Sequence, residues 1–393
     1  MAWAGLADQS GVSFIFCSAL RDRLRVVRVF APFITYWLGM NSAIKALRLT
    51  LLDWYDAHAR ALPWRVSPTE RTNGILPDPY AVWLSEMMLQ QTTITTVRPY
   101  FAKFLTAFPS VQAMAAAPLD GVLSLWAGLG YYARARNLHK CALAIAGAGG
   151  FPSTPEGLSA FPGIGPYTSA AIASIAFDYP SVPVDGNVER VLSRLLHIDA
   201  VLPAGKPAFR QAAAQFEDAH RPGDFAQALM DLGSTICTPR KPNCEVCPWS
   251  SACLGRAAGD AETYPRKAAK KVKPIRYGTA FVHLNENGVL VSRRPEKGLL
   301  GGMLEVPGTD WETALLAPSK VQCSAPYINI DWQKAMPIRH IFTHFDLRLE
   351  VLAARSTHTD NAHRIEVAAL DQAALPSVMM KVIKSGLAAL NKG

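Results

Sequence analysis

The spacing of apolar positions predicts helices over the first two thirds of the chain. Residues 78–104 (DPYAVWLSEMMLQQTTITTVRPYFAKF) are typical of a helix that begins near Pro79. A helix ending near Ala160 precedes the tight turn 162–166 (PGIGP) and an Ala-rich helix, and a further helix runs from about Val188. The first region is therefore expected to be mostly α.

Strand patterns dominate the last third of the chain. Residues 279–294 (TAFVHLNENGVLVSRR) predict a hairpin with its turn at Asn287-Gly288. Residues 338–351 (IRHIFTHFDLRLEV) alternate, and this predicts two faces: one with Ile341, Phe345, Leu347, Leu349 and Val351, the other with His340, Phe342 and His344. The last third is therefore expected to be an α+β domain.

Length and charge narrow the class of protein. The chain has 393 residues, half of them apolar, which predicts two or three globular domains and excludes a disordered chain. A formal charge of +9 fits a polyanionic partner such as nucleic acid. Neither apolar run before residue 40 is long enough to span a bilayer. We expect an unstructured extension or misplaced start at 1–39, a catalytic region at 40–265, a basic linker at 266–276 and a second domain at 277–393.

Four of the seven cysteines lie together in the stretch 237–253, and their spacing is Cys237-x6-Cys244-x2-Cys247-x5-Cys253. Clustered thiols favour a metal site in a reducing compartment over a disulfide framework. Structural Zn²⁺ accepts four cysteines, but its sites usually have two tight CxxC pairs, and here only one pair is tight. The looser spacing suits a [4Fe–4S] cluster.

Two carboxylates are candidates for acid–base chemistry. Glu86 lies among Trp83, Leu84 and Met87, where desolvation would let it carry a proton near neutral pH, unless it faces solvent. Asp185 precedes the helix from Val188 and could simply cap it. Together, a protonated acid and an ionised carboxylate would suit cleavage of an N-glycosidic bond, because the departing base needs a proton and the cationic sugar needs a negative charge.

The turn between the two helices at 158–177 (LSAFPGIGPYTSAAIASIAF) is a candidate anion site. Gly163 and Gly165 permit close backbone approach, and the second helix presents N–H groups at its start. A helix-hairpin-helix holds a DNA phosphate in this way without reading the base sequence. An ordinary helical corner would have the same pattern.

With these motifs in place, the chain from about Leu51 to its end resembles the MutY-type adenine DNA glycosylases. The motifs that carry the resemblance include LPW (62–64), VWLSEMMLQQT (82–92), WAGLGYYARARNLHK (126–140), PGIGPYT (162–168), VDGNVERVLSR (184–194) and the four-cysteine loop. The resemblance implies a helix-hairpin-helix glycosylase with a six-helix barrel and a [4Fe–4S] cluster domain. It also implies removal of adenine mispaired with 8-oxoguanine or guanine in double-stranded DNA.

The resemblance also implies roles for individual residues. Glu86 matches the acid that protonates adenine at N7 and then activates water, and Asp185 matches the carboxylate that stabilises, or transiently bonds to, the sugar C1′. Tyr167 and Asn187 match residues that hold this assembly. The remaining matches are an adenine pocket of Arg60, Leu62, Arg65 and Gln227, and two side chains that wedge into the duplex, Gln91 and Tyr131.

One position separates the chain from the related bifunctional enzymes of the endonuclease III type. Those enzymes carry a Lys nucleophile two residues after the second Gly of the turn, where this chain has Tyr167. A phenol cannot form an imine, so we expect base removal without strand cleavage.

The last third resembles the Nudix-like domain of the same family, which reads the 8-oxoguanine strand through a Phe-Ser-His loop. The chain has Phe342, Thr343 and His344 at this place, so the hydroxyl is kept and a methyl is added. The stretch GLLGGMLEVPG (298–308) lacks the Glu-rich helix of Nudix hydrolases. We therefore expect recognition of the damaged strand rather than pyrophosphate hydrolysis.

Three other functions remain open at this point: a glycosylase/lyase for oxidised pyrimidines, a non-catalytic iron–sulfur DNA-binding protein, and a nucleotide hydrolase. Tyr167 and the additional domain argue against the first, the two carboxylates against the second and the missing Glu-rich helix against the third. We expect a monomer with no membrane partner, in a bacterial cytoplasm and associated with the nucleoid.

Overall fold

The computed structural model describes residues 41–130, 132–269, 272–295, 298–357, 362–373 and 375–391. The expected extension at 1–39 and the candidate wedge residue Tyr131 lie outside these residues. The described chain forms two compact units, one of residues 41–60, 67–74 and 178–266, the other of the described residues within 61–66, 75–177 and 267–391. The domain boundaries expected from the sequence stay a prediction.

Helices make up nearly all of the regular structure before residue 270. They are α1 (41–58), α2 (Pro68–Thr72), α3 (Pro79–Leu89), α4 (Ile94–Ala107), α5 (Val111–Ala116), α6 (Leu119–Trp126), α7 (Tyr132–Gly147), α8 (Pro155–Ser159), α9 (Pro166–Phe177), α10 (Gly186–Leu195), α11 (Lys206–Ala214), α12 (Pro222–Thr235) and α13 (Leu254–Ala257). Short 3₁₀ turns span Cys244–Val246 and Ala261–Thr263.

Capping residues explain where several of these helices begin. Ser67 forms a capping box with Glu70 at α2, and Asp78, Thr93 and Asp185 accept backbone N–H groups at the starts of α3, α4 and α10. The helix predicted from Pro79 is confirmed, but the single helix predicted over 78–104 is wrong. Thr93 caps a second helix there, so the chain breaks between α3 and α4.

The core of the first unit joins α1 to the helices around the cysteine loop. Its buried members come from α1, α10, α11, α12 and the loop, and they include Leu51, Tyr55, Val188, Phe225 and Trp249. Three segments distant in sequence therefore share one apolar core.

The chain after residue 274 forms a sheet with helices, as the α+β prediction requires. Its strands are β1 (Ile275–Asn285), β2 (Gly288–Leu290), β3 (Ser292–Arg293), β4 (Leu304–Glu305), β5 (Gln333–Lys334), β6 (Ile338–Ile341), β7 (Asp346–Arg355) and β8 (Arg364–Ile365). The helices are α14 (Pro318–Cys323) and α15 (Ser377–Leu390), with a 3₁₀ turn at Val367–Gln372. The main sheet has the order β5-β7-β1-β2-β8, β6 also pairs with β7, and β3 pairs with β4 separately.

Register decides which side chains share a face of this sheet. β1 and β7 are parallel, and the other pairs are antiparallel. The β1–β2 hairpin is confirmed, but Asn285 pairs with Gly288, so its loop is one residue earlier than predicted. The side chains of Val282, Leu347 and Leu349 belong to an apolar core with α15.

The alternation predicted over 338–351 is interrupted by a turn. β6 and β7 are two antiparallel strands, and the Phe342 N–H donates to the Phe345 carbonyl across the turn (2.9 Å). His340 is paired with Leu347, so both point to the same face of the sheet rather than to opposite faces. The turn has four residues, so an odd-numbered position of β6 pairs with an even-numbered position of β7. Counting alternate residues across the turn therefore assigns β6 to the wrong face.

Candidate active site

Asp185 and Asn187 lie at the start of α10 in the first unit. The Asp185 carboxylate accepts the backbone N–H groups of Asn187 (2.9 Å) and Val188 (2.8 Å), and its other oxygen accepts the Asn187 amide (2.8 Å). The expectation that Asp185 caps the helix is confirmed. A helix N-terminus favours a negative charge, so the cap also suits a carboxylate that faces a cationic sugar.

Arg190 joins these two residues to the cysteine loop. Its guanidinium donates to the Asn187 side-chain oxygen (2.9 Å), the Gly233 carbonyl (2.6 Å) and the Cys237 carbonyl (2.7 Å). Burial lowers the pKa of Arg190, and the nearby charges of Cys237 and Asp185 act in the opposite direction. At Gly233 an added Cβ would lie 2.7 Å from the Asn187 Cβ, so glycine is needed for this packing.

The cysteine loop is fastened to the same helix. Arg194, which is buried, donates to the carbonyls of Thr238 (2.7 Å) and Pro239 (3.1 Å) and to the Cys237 sulfur (3.3 Å). All four cysteines are free thiols. The pKa of Cys247 is raised to about 11, chiefly by burial, and the charges of the other three cysteines act in the same direction. Four neighbouring, partly buried sulfurs become thiolates when a cationic metal centre compensates their charge, so the donor set fits an iron–sulfur cluster.

Glu86 lies on α3 in the second unit. The side chain is buried (7% exposed), as are its helix neighbours Trp83 and Met87, so the alternative that Glu86 faces solvent is wrong. All of α3 from Val82 to Met88 is buried, which is why its pattern alone could not assign a face.

The chain after α3 makes a tight bend that carries Gln91. Gln91 has a left-handed backbone (φ 59°), which is uncommon for a residue with a side chain. Arg134 on α7 donates to the carbonyls of Met88 (3.0 Å) and Gln90 and to the Thr92 hydroxyl (2.8 Å). These bonds occupy carbonyls that the end of α3 leaves without helical donors.

The turn before α9 has the conformation that its glycines predict. Gly163 has φ 80°, and an added Cβ would lie 3.2 Å from both Asn137 and Met87. At Gly165 an added Cβ would meet nothing within 4 Å, so the surface there is open. Tyr167 stands in the first turn of α9 and is half-buried.

The four residues predicted for the adenine pocket divide between the two units. Arg60 donates from its backbone (3.1 Å) and its guanidinium (2.7 Å) to the buried carboxylate of Asp231. Gln227, one turn earlier on α12, is also buried, and its side-chain oxygen has no hydrogen-bond partner among the described residues. In the second unit the Arg65 N–H donates to the Leu62 carbonyl (3.0 Å).

The three residues predicted to read the damaged strand form the turn between β6 and β7. Phe342 is half-buried and packs against Phe345 (4.9 Å between ring centroids) and Trp311 (5.6 Å), and its carbonyl accepts from Lys273 (2.7 Å). Thr343 and His344 are exposed. The turn is therefore anchored by one aromatic ring and presents the two polar side chains to solvent.

Comparison with known proteins identifies the family. The model of the HhH-GPD superfamily base excision DNA repair proteins matches residues 84–215, and an adenine DNA glycosylase of Rattus norvegicus is 34% identical over 87% of this chain and 78% of its own length. The chain belongs to the adenine DNA glycosylase family. The adenine DNA glycosylases of Homo sapiens (35% identical, 78% of this chain, 66% of that protein) and Buchnera aphidicola subsp. Acyrthosiphon pisum (33%, 78%, 85%) are further relatives.

Membership of the adenine DNA glycosylase family confirms the predicted fold class and cofactor. The iron–sulfur binding domain of endonuclease III matches 237–253 and a NUDIX domain matches 279–385. The chain therefore binds a [4Fe–4S] cluster, and the matched stretch contains Cys237, Cys244, Cys247 and Cys253, the four predicted ligands. No group of three or more His, Cys, Asp or Glu side chains in the described chain is arranged to hold a metal ion, so the cluster is assigned from the family match and the donor set.

The comparison with solved structures found similarity over part of the chain. A thermostable thymine-DNA glycosylase is 26% identical and covers 56% of this chain and 98% of its own, with a TM-score of 0.49. None of the helices in the described part is both long and apolar enough to cross a membrane.

Sequence reasoning missed three side chains that hold the candidate site. Asp231 and Arg190 bond the predicted site residues Arg60 and Asn187, and Arg134 bonds the residues on either side of Gln91. The spacing of Gln227 and Asp231, four residues apart on one helix face, was the one available signal.

Proposed function

We propose that this protein hydrolyses the N-glycosidic bond of adenine mispaired with 8-oxoguanine or guanine in double-stranded DNA, without cutting the strand. The observation that carries the proposal is the combination of a buried Glu86 with an Asp185 carboxylate held at a helix N-terminus, in a chain of the adenine DNA glycosylase family.

The two carboxylates divide the chemistry. Glu86 gives its proton to N7 of adenine, the bond from N9 to C1′ breaks, and the electron pair leaves with the base. Asp185, fixed by its three N–H donors, stabilises the positive charge on the sugar. Water adds to C1′ and gives a proton back to Glu86, which leaves free adenine and an abasic site.

Other side chains bind and orient the substrate in this proposal. The buried Gln227 oxygen is an acceptor that suits the exocyclic amine of adenine, and Asp231 orients Arg60 beside it. The cluster, when bound, fixes the loop that Arg190 and Arg194 hold. Thr343 and His344 contact the base opposite the adenine. A monomeric protein in the cytoplasm, associated with the nucleoid, remains our expectation.

The deciding experiment is single-turnover cleavage of a duplex with one 8-oxoguanine:A pair and a label on the A strand. We expect nicking at the A only after hot alkali, loss of nicking in Glu86→Gln, and normal nicking in the matched control Glu156→Gln, which changes an exposed carboxylate on α8. Nicking without alkali, with trapping of the protein on DNA by borohydride, would instead establish lyase chemistry. Binding without any nicking would establish a non-catalytic DNA-binding protein.

A further inference from the structure

A shallow basic depression lies on the C-terminal sheet, beside β5, β6 and α15. Its volume is about 680 Å³. The floor is formed by small or apolar side chains, among them Ala335, Ile338 and Ala389, and the rim carries Lys334, Lys381 and Lys384. All three lysines are exposed.

The register of β6 fixes which side of the sheet the depression occupies. Ile338 and His340 pair with Leu349 and Leu347, whose side chains pack with α15, so both face the helix. Lys381 lines the depression together with Ile338, so it lies beside that strand. Burial lowers the pKa of His340, and the positive charge of Lys381 acts in the same direction. Lys384 lies one turn further along α15, on the same helix face.

Three cations of the domain have an acidic partner among the described residues. Lys320 pairs with Glu312, Arg294 with Glu305 and Arg339 with Asp346. No ion pair among the described residues involves Lys334, Lys381 or Lys384. Uncompensated positive charge around a concave, partly apolar surface is complementary to a polyanion with an apolar sugar face.

The position of the depression favours one polyanion. β6 leads from the depression directly into the turn of Phe342, Thr343 and His344. Lys334 pairs with Leu352, which alternates with the core residues Val351 and Ala353, so the Lys334 side chain faces away from α15 and only Lys381 and Lys384 point to the side of the depression. Lys334 and His340 pair with residues five positions apart on β7, so this edge of the sheet extends about 17 Å, at roughly 3.3 Å per residue. A DNA strand whose base is read at that turn would carry several phosphates over this length.

We propose that Lys381 and Lys384 bind the backbone phosphates of the strand that carries the 8-oxoguanine, beside the turn that reads the base. The apolar floor contacts deoxyribose. This inference rests on the proposed function, because it takes the strand to be the one opposite the excised adenine. The contact is non-specific, so it adds affinity and orientation rather than base selectivity.

The test is the salt dependence of duplex binding by the full-length protein with its cluster. Lys381 and Lys384 are both changed to Gln in the Glu86→Gln background, which binds without turnover, and the 8-oxoguanine:A duplex is titrated at several salt concentrations. Two lost phosphate contacts should lower the slope of log K against log salt by about 1.8 and weaken binding to undamaged duplex in parallel. Lys320→Gln, the matched control, should leave the slope unchanged, and Lys381→Arg with Lys384→Arg should restore it.

An unchanged slope in the double Gln variant would overturn the proposal. If the double Gln variant keeps the slope but loses the binding of poly-glutamate that its Glu86→Gln parent shows, the proposal is also wrong, because the surface then accepts an acidic peptide rather than DNA. The proposed function fails separately. If the wild-type protein never nicks the A strand, but the double Gln change still lowers the slope, the depression binds phosphate in a protein that is not an adenine glycosylase.

Discussion

At the scale of single residues, the candidate site depends on buried polar pairs rather than on isolated catalytic groups. Asp231 is fully buried and receives both the backbone and the guanidinium of Arg60. A charge so placed is costly unless it is paired, so each partner fixes the other. The orientation of the Arg60 side chain therefore depends on its bond to Asp231.

A double-mutant cycle measures this pairing. Asp231→Asn should lower the free energy of unfolding by about 1–3 kcal/mol and slow single-turnover adenine release, because Arg60 loses its charged acceptor. Arg60→Gln should slow release to a similar extent, and the double variant should be little worse than either single variant. Asp56→Asn, which breaks the more exposed Arg221–Asp56 pair, should cost less than about 1 kcal/mol. Additive effects on release would show that Asp231 does not position Arg60.

The candidate catalytic residues could be predicted from the motifs, whereas the contacts that hold the site, such as the Arg60–Asp231 pair, could not. Glu86 and Asp185 stand in recognisable local stretches, but the bond between Arg60 and Asp231 joins positions 171 residues apart. The chain brings such partners together only through tertiary packing, which local pattern does not encode. The burial of Glu86 was undecided for a different reason, since apolar side chains cover every side of α3.

At the scale of elements, the break between α3 and α4 is where the sequence-based prediction failed. The stretch 78–104 is helical in composition, and the chain nevertheless turns at Gln90–Thr93, where Thr93 caps α4 and Arg134 binds the last carbonyls of α3. The bend needs an arginine from a third helix. A propensity argument along one segment cannot include that contribution.

The bend gives Arg134 a positioning role that can be measured. Arg134→Met should leave the carbonyls of Met88 and Gln90 without these donors and release Gln91 from its left-handed conformation. If Gln91 wedges into the duplex, base extrusion should weaken and single-turnover excision should fall roughly tenfold or more, since a misplacement of about 1 Å can cost 100-fold. A duplex with 2-aminopurine in place of the adenine reports extrusion directly, because the fluorescence rises when the base leaves the stack.

The matched control for Arg134 is Lys140→Met, which removes an exposed positive charge from the same helix. It should leave the fluorescence change intact. If Arg134→Met binds DNA less tightly but extrudes the base as fully as the wild-type protein, Arg134 acts through charge and not through the bend.

At the scale of the whole molecule, the cysteine loop completes a core built from distant parts of the chain. Trp249, 2% exposed, is buried against this core, and its indole N–H donates to the Leu47 carbonyl on α1 (2.8 Å). Cys237, Cys247 and Cys253 pack against the same core. The cofactor was predictable because four cysteines lie within 17 consecutive residues, while the hydrogen bond that joins their loop to α1 spans 202 positions in sequence.

Loss of the cluster should therefore destabilise one unit and spare the C-terminal sheet. In Cys247→Ser we expect loss of iron and of the broad visible absorption, because the remaining thiols cannot hold the cluster, and metal binding is coupled to folding in such loops. Hydrogen exchange should then accelerate in α10 and α12, which Arg190 and Arg194 join to the loop. Protection in β1 and β7, which pair over ten residues, should persist.

The matched control, Cys323→Ser, changes an exposed thiol of α14 and should retain both iron and protection. Uniform loss of protection in Cys247→Ser would show that the two units unfold as one, whereas full protection without iron would show that the loop holds its core unaided.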